Sequence, residues 1–187
     1  MKHLPLFLLF FSVNICLSQT KWHPFVGAYA SMDGGGYYAG PSFQIGTDYS
    51  LKKKNSLVTY FHYFPKKLNN SFSNGTYEYG KYRSATLALL VQVRLSKKEK
   101  KGMLLAGGAA LQRTSENYLS DIEVINSKRL ILVAALRIGH LFPIGNKILS
   151  LELNALGPHQ SSMDTAPYIS QSIELLTQLS FGARVIF

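Results

Sequence analysis

Apolar and polar residues take turns along much of this chain. Between Ser84 and Leu95, Ala85, Leu87, Leu89, Val91, Val93 and Leu95 alternate with Ser84, Thr86, Ala88, Leu90, Gln92 and Arg94. Further on, Leu149, Leu151, Leu153 and Ala155 alternate with Ser150, Glu152 and Asn154. The last stretch sets Ile173, Leu175, Thr177, Leu179, Phe181, Ala183, Val185 and Phe187 against Ser172, Glu174, Leu176, Gln178, Ser180, Gly182, Arg184 and Ile186. A period of two is the mark of a β-strand with two unlike sides. Eight segments are predicted as strands: Trp22–Met32, Tyr37–Leu51, Ser56–Phe64, Lys81–Leu95, Gly102–Arg113, Lys128–Leu141, Lys147–Gly157 and Tyr168–Phe187. The pattern leaves the two faces of the first, third and fifth unassigned. No helical period of useful length and no internal repeat interrupts the series.

The connections alternate in length. LKKKN, SKKEKK and PIGN are short, whereas the stretches around Asp33–Gly36, Pro65–Gly80, Thr114–Ser127 and Pro158–Pro167 are mostly longer and rich in Ser, Asn, Gly and Asp. Short turns at one end, long loops at the other and an even strand number predict an all-β, eight-stranded antiparallel up-and-down barrel, with both termini at the short-turn end. Alternation alone does not say which face points outward, because a soluble lipid-binding calyx alternates as well. Charge placement decides. Lys52 to Lys54 and Lys97, Lys98, Lys100 and Lys101 crowd the turns, while the polar strand faces carry Ser, Thr, Gly, Gln and few ions. Small polar residues suit a crowded lumen, and a continuous Leu/Val/Ile/Phe face suits lipid, so the expected architecture is a transmembrane β-barrel. Aromatic residues gather toward strand ends, as interfacial girdles do.

Composition sharpens this. Only 16% of the 187 residues are charged, well below the roughly 25% usual in soluble domains. No segment beyond the N-terminal leader offers the roughly 20 unbroken apolar residues that a membrane-spanning helix needs. The leader itself, MKHLPLFLLFFSVNICLSQT, runs from basic through apolar to small residues, the order of a secretory signal peptide. Residues 1–18 are therefore expected to be the signal and 19–187 the barrel domain. Cys16, the single cysteine, leaves with the signal, so no disulfide is expected in the exported chain.

Signal peptide, eight alternating strands and the terminal GARVIF together resemble the small bacterial outer-membrane barrels of the OmpA-like and OmpX-like kind. The Gln19 start and the GARVIF ending are most similar to barrels of the Bacteroidota type. The resemblance implies a bacterial outer-membrane location with periplasmic termini, contact with outer-membrane lipids and with the barrel-insertion machinery, and a sorting role for Phe187.

Candidate chemistry is sparse. Arg137 and Glu152 fall on polar faces of strands joined by Pro143–Asn146, and pairing Phe142 with Lys147 would place them opposite each other as a buried ion pair. Arg94, Arg184, Gln178 and Asn154 are candidates to extend that network. Eight strands leave a bore that side chains fill, which argues against a porin. GPHQSSMD brings His159 and Ser161 two apart, with Glu174 further on, and this faintly resembles the His-x-Ser-Asn motif of lipid A deacylase barrels. Ser162 stands where that motif has Asn, and the stretch reads as a loop. A lipid A or phospholipid hydrolase is accordingly the alternative to a non-enzymatic structural, surface-interaction or accessory barrel. His23, His62, His140 and His159 lack metal-ligand spacing, and no cofactor or metal is expected. The formal charge of +10 does not imply nucleic acid in an exported chain. The lysine turns are solvated, or they touch anionic head groups or an acidic periplasmic or outer-membrane partner.

Overall fold

The computed structural model describes residues 21–33, 38–52, 54–71, 77–96, 101–120, 124–157, 159–165, 168–174 and 178–187. The predicted leader with Cys16, and Lys53, Lys97, Lys98 and Lys100, lie outside them. Ten strands are present: β1 (Trp22–Asp33), β2 (Ala39–Lys52), β3 (Asn55–Ser71), β4 (Tyr77–Arg94), β5 (Gly102–Ser120), β6 (Val124–Ile144), β7 (Lys147–Leu156), β8 (His159–Thr165), β9 (Tyr168–Glu174) and β10 (Gln178–Ile186). Eight of them close a barrel in the order β1-β10-β7-β6-β5-β4-β3-β2, every pair antiparallel. β8 and β9 form a separate hairpin between the last two barrel strands.

The alternation becomes geometry directly. On β4, Ser84, Thr86, Ala88, Leu90 and Gln92 are buried, while Leu87, Leu89, Val91 and Val93 are exposed. β6 buries Val133, Ala135, Arg137 and Leu141 and exposes Leu130, Leu132, Leu136 and Ile138. This reverses the usual sorting of side chains. Leu132 is 73% exposed and Phe181 61%, whereas Arg137 and Arg184 are 1% and 0% exposed. Such an outward apolar belt around a partly polar interior is the arrangement of a barrel solvated by lipid tails. Of the strands that the pattern left unassigned, β1 turns Phe25, Tyr29 and Ser31 inward, β3 turns Ser56, Val58, Tyr60, His62 and Phe64 inward, and β5 turns Leu104, Ala106, Ala110 and Gln112 inward.

Four expectations need correction. The stretches around Pro65–Gly80 and Thr114–Ser127 are largely strand, since β3 continues to Ser71, β4 starts at Tyr77, β5 runs to Ser120 and β6 starts at Val124. Past the apolar belt the hydrophobic alternation fades although backbone pairing persists. The stretch after Pro158 is likewise strand rather than loop, and the predicted final strand is divided into β9 and β10. The β6–β7 register is also shifted by two. Ile144 pairs with Lys147 and Phe142 with Leu149, around a turn at Gly145 and Asn146. Gly145 has φ of +59°, and glycine at the first central position favours a two-residue type II′ turn over the longer PIGN loop. A shift of two keeps each side chain on its face.

Inward glycines make room for large neighbours. Gly182 pairs with Tyr29 across β10 and β1, and a Cβ there would meet the Tyr29 ring at 2.7 Å and collide with the Ala28 carbonyl. Gly182→Val is expected to destabilise the barrel by about 1–3 kcal/mol through overpacking against backbone that cannot yield. Urea unfolding from lipid vesicles checks it, and a loss below about 0.5 kcal/mol would mean that β1 and β10 separate without strain.

Candidate functional site: the polar network of the barrel interior

The interior network is built around one carboxylate. Glu152 on β7 is 1% exposed and lies opposite Gly139 of β6, whose missing side chain leaves it space. Its Oε2 accepts a hydrogen bond from the Tyr29 hydroxyl at 2.9 Å, and its Oε1 accepts one from Ser150 Oγ at 2.7 Å. Two guanidinium groups flank it. Arg137 Nε is 3.3 Å from Oε2, and Arg184 Nε is 2.5 Å from Oε1. Arg137 does not sit directly across from Glu152. It pairs in register with Asn154, so the contact is diagonal, as the two-residue shift requires.

Each arginine makes further hydrogen bonds outward, although Arg137 Nη1 and Arg184 Nη1 find no hydrogen-bond partner among the described residues. Arg137 donates from Nε to Asn154 Oδ1 at 2.6 Å and from Nη2 to Gln44 Oε1 at 3.0 Å. Arg184 donates to Gln92 Oε1 at 2.8 Å, and Gln92 in turn donates to Asp48 Oδ2 at 3.0 Å and Ser56 Oγ at 3.1 Å. Arg94 approaches the same Asp48 oxygen at 3.8 Å. Aromatic faces supply the rest of the environment. The Arg137 guanidinium carbon lies 4.6 Å from the centre of the Tyr60 ring, and that of Arg184 lies 4.4 Å from Phe25. Cations so held gain attraction from the ring quadrupole in a place with little water.

Gln178 belongs to a second cluster. Its Oε1 accepts from Ser84 at 3.0 Å and from Gln112 at 3.1 Å, its Nε2 donates to Ser180 Oγ at 3.2 Å, and its Nε2 also lies 3.3 Å from His62 Nδ1. Ser31 joins Ser42, Ser180 and His62 in the same cluster. Among the sequence candidates, Arg137, Glu152, Arg184 and Asn154 come together, Arg94 joins through Asp48 and Gln92, and Gln178 stands apart. Tyr29, Gln44, Asp48, Gln92 and Gln112 were not singled out from sequence. Tyr29 and Gln112 lie on strands whose faces the pattern could not assign, but Gln92 lay on the polar face read between Ser84 and Leu95 and could have been found there. The interior also holds apolar side chains, with Val58, Leu90, Leu104 and Leu141 packed in one cluster.

Among the described residues no group of His, Cys, Asp and Glu is placed to hold a metal ion. His159 and Glu174 are cross-strand partners in the β8–β9 hairpin, and Ser161 pairs with Ser172. The side chains of these residues lie outside the described ones. Phe187 ends the barrel beside β1, where its backbone N–H donates to the Pro24 carbonyl at 2.9 Å, and Lys147 Nζ stands 4.5 Å from the centre of its ring.

The fold is shared with small bacterial outer-membrane barrels. Neisserial surface protein A is similar with a TM-score of 0.58 and 12% identity, over 89% of this chain and 96% of that one. CarO of Acinetobacter baumannii is similar with a TM-score of 0.50 and 12% identity, over 86% of this chain and 95% of that one. At such identities the likeness is one of fold. No family model matches the chain, and no curated protein matches it.

Proposed function

We propose that this protein is a non-enzymatic bacterial outer-membrane barrel with a plugged interior and periplasmic termini, serving as a structural, surface-interaction or accessory component of the envelope. The observation that carries the reading is the inversion of burial: two buried arginines and a glutamate inside, with leucines exposed around the outside. Water cannot be the solvent for that belt, and an eight-stranded bore crossed by Arg137, Glu152, Arg184, Tyr29 and Tyr60 leaves no room for solute diffusion. The short β6–β7 turn and both ends of the barrel sheet lie at one rim, which in this architecture is the periplasmic one. Purification from native outer membranes in mild detergent, followed by mass spectrometry, tests the accessory role. A stoichiometric partner supports it, and a barrel that comes out alone removes it in favour of an autonomous one.

A second reading has one observation behind it. The β8–β9 hairpin pairs His159 with Glu174 and keeps Ser161 two residues along the same strand, a spacing compatible with a serine nucleophile, its base and an orienting carboxylate. Under the non-enzymatic reading, Ser161→Ala leaves the acylation pattern of lipid A and phospholipid unchanged by mass spectrometry of extracted lipids. Loss of a deacylated species in that variant would make the hairpin an active site.

A further inference from the structure

The outer surface is not evenly charged. Next to the apolar belt, at the rim away from the β6–β7 turn, four consecutive strands turn basic residues outward. Lys67 on β3, Arg83 on β4, Arg113 on β5 and Lys128 on β6 are exposed, and Lys81 on β4 is half-buried. Their spacing follows from the register. Lys67 pairs directly with Lys81, Arg83 with Ser115, Arg113 with Leu130 and Lys128 with Ser115. Arg113 thus sits diagonally from both Arg83 and Lys128, and Lys81 is two residues from Arg83 on the same strand face. Direct partners across a sheet stand about 5 Å apart and diagonal ones about 7–8 Å, so the five cations form an unbroken chain. Like charges placed directly opposite destabilise a sheet. Among the described residues no ion pair joins any of the five to a carboxylate. β1 and β2 end instead in Ala30, Met32, Ala39 and Pro41 on their outward positions. Among the described residues the patch is therefore one-sided and carries no paired carboxylate.

We infer that this patch is a binding site for the phosphorylated saccharide head group of the outer-leaflet glycolipid. The inference rests on the outer-membrane placement and orientation proposed above. Its occupant follows from height and chemistry. Arg83, Arg113 and Lys128 stand one outward position beyond Ala85, Leu111 and Leu130, at the edge of the apolar belt, which in a barrel so placed is the height of the head groups. Several cations within one head-group width match a ligand that carries more than one phosphate, and guanidinium groups can grip phosphate oxygens in pairs. A ring meant only for monoanionic phospholipid would surround the barrel. This one covers half of it.

The test uses the full barrel in detergent, titrated with purified bis-phosphorylated lipid A and followed by native mass spectrometry. The triple variant R83Q/R113Q/K128Q should bind about a hundredfold more weakly, at roughly a fivefold loss for each basic residue removed from a lipid surface. A matched control, K54Q/K101Q/K147Q at the opposite rim, should bind as the parent does. Dephosphorylated lipid A should bind the parent as poorly as the intact ligand binds the triple variant. Unchanged binding by the triple variant, or equal binding of phosphatidylglycerol and lipid A, overturns the proposal. Orientation is read separately. Lys128→Cys, but not Lys54→Cys, should react with an impermeant maleimide on intact cells, and the reverse labelling would sink the orientation without touching the binding result.

Discussion

Glu152→Gln is expected to lower the unfolding free energy of the barrel by about 3–5 kcal/mol, because it leaves two guanidinium groups buried beside a neutral amide. The side chain keeps its shape, so the loss isolates charge from packing. Arg137 and Arg184 both approach this carboxylate, at 3.3 Å and 2.5 Å, and neither has another carboxylate among the described contacts. Adding Arg184→Gln to Glu152→Gln should recover part of the loss by removing one of the two uncompensated charges. Exchanging the charges of Arg137 and Glu152 should not restore stability, since an arginine at 152 would stand against Arg184. Urea unfolding from lipid vesicles, followed by the fluorescence of the single tryptophan, Trp22, measures all three. If Glu152→Gln costs less than about 1 kcal/mol, the carboxylate is not the hub of the interior.

The second large effect lies on the other face. Leu136 is 59% exposed and sits midway along the outward apolar run of β6. In a bilayer, Leu136→Arg should cost about 2–4 kcal/mol, as a cation at the midplane does. On a water-facing surface the same change would be within about 0.5 kcal/mol of neutral. One substitution, measured by the same unfolding assay, thus separates a membrane barrel from a soluble calyx.

The fold was legible because alternation, turn length and charge placement agree, most clearly on β4, β7 and β10. What escaped was set by rules that alternation does not carry. Asn69 to Ser71 include no apolar residue, so the pairing of β3 with β4 up to Ser71 and Tyr77 leaves no period to read. On β5, MLLAGGAALQ is apolar on both faces because small residues line a crowded bore as readily as they face lipid. The diagonal contact of Arg137 with Glu152 depended on where Gly145 turns the chain, a matter of one glycine's φ rather than of the strands it joins. Arg184 was visible as a polar residue of the last strand. That it shares Glu152 with Arg137 required the curvature that brings β10 beside β7.

Closure itself governs how this chain must be handled before it is finished. The seam joins Phe25 to Ile186 and Met32 to Leu179, so the first barrel strand finds its partner in the last. Contacts of such long sequence separation form late and slowly, because chain entropy must be lost before they reward it. Until the seam zips, two long strand edges and a belt of leucines face water, the state most prone to pairing with the wrong chain. Closing the barrel must thus wait for the last strand, although the pairs from β1 to β7 join neighbours in sequence. Its yield is set by whatever keeps the unclosed chain solitary on its way to lipid.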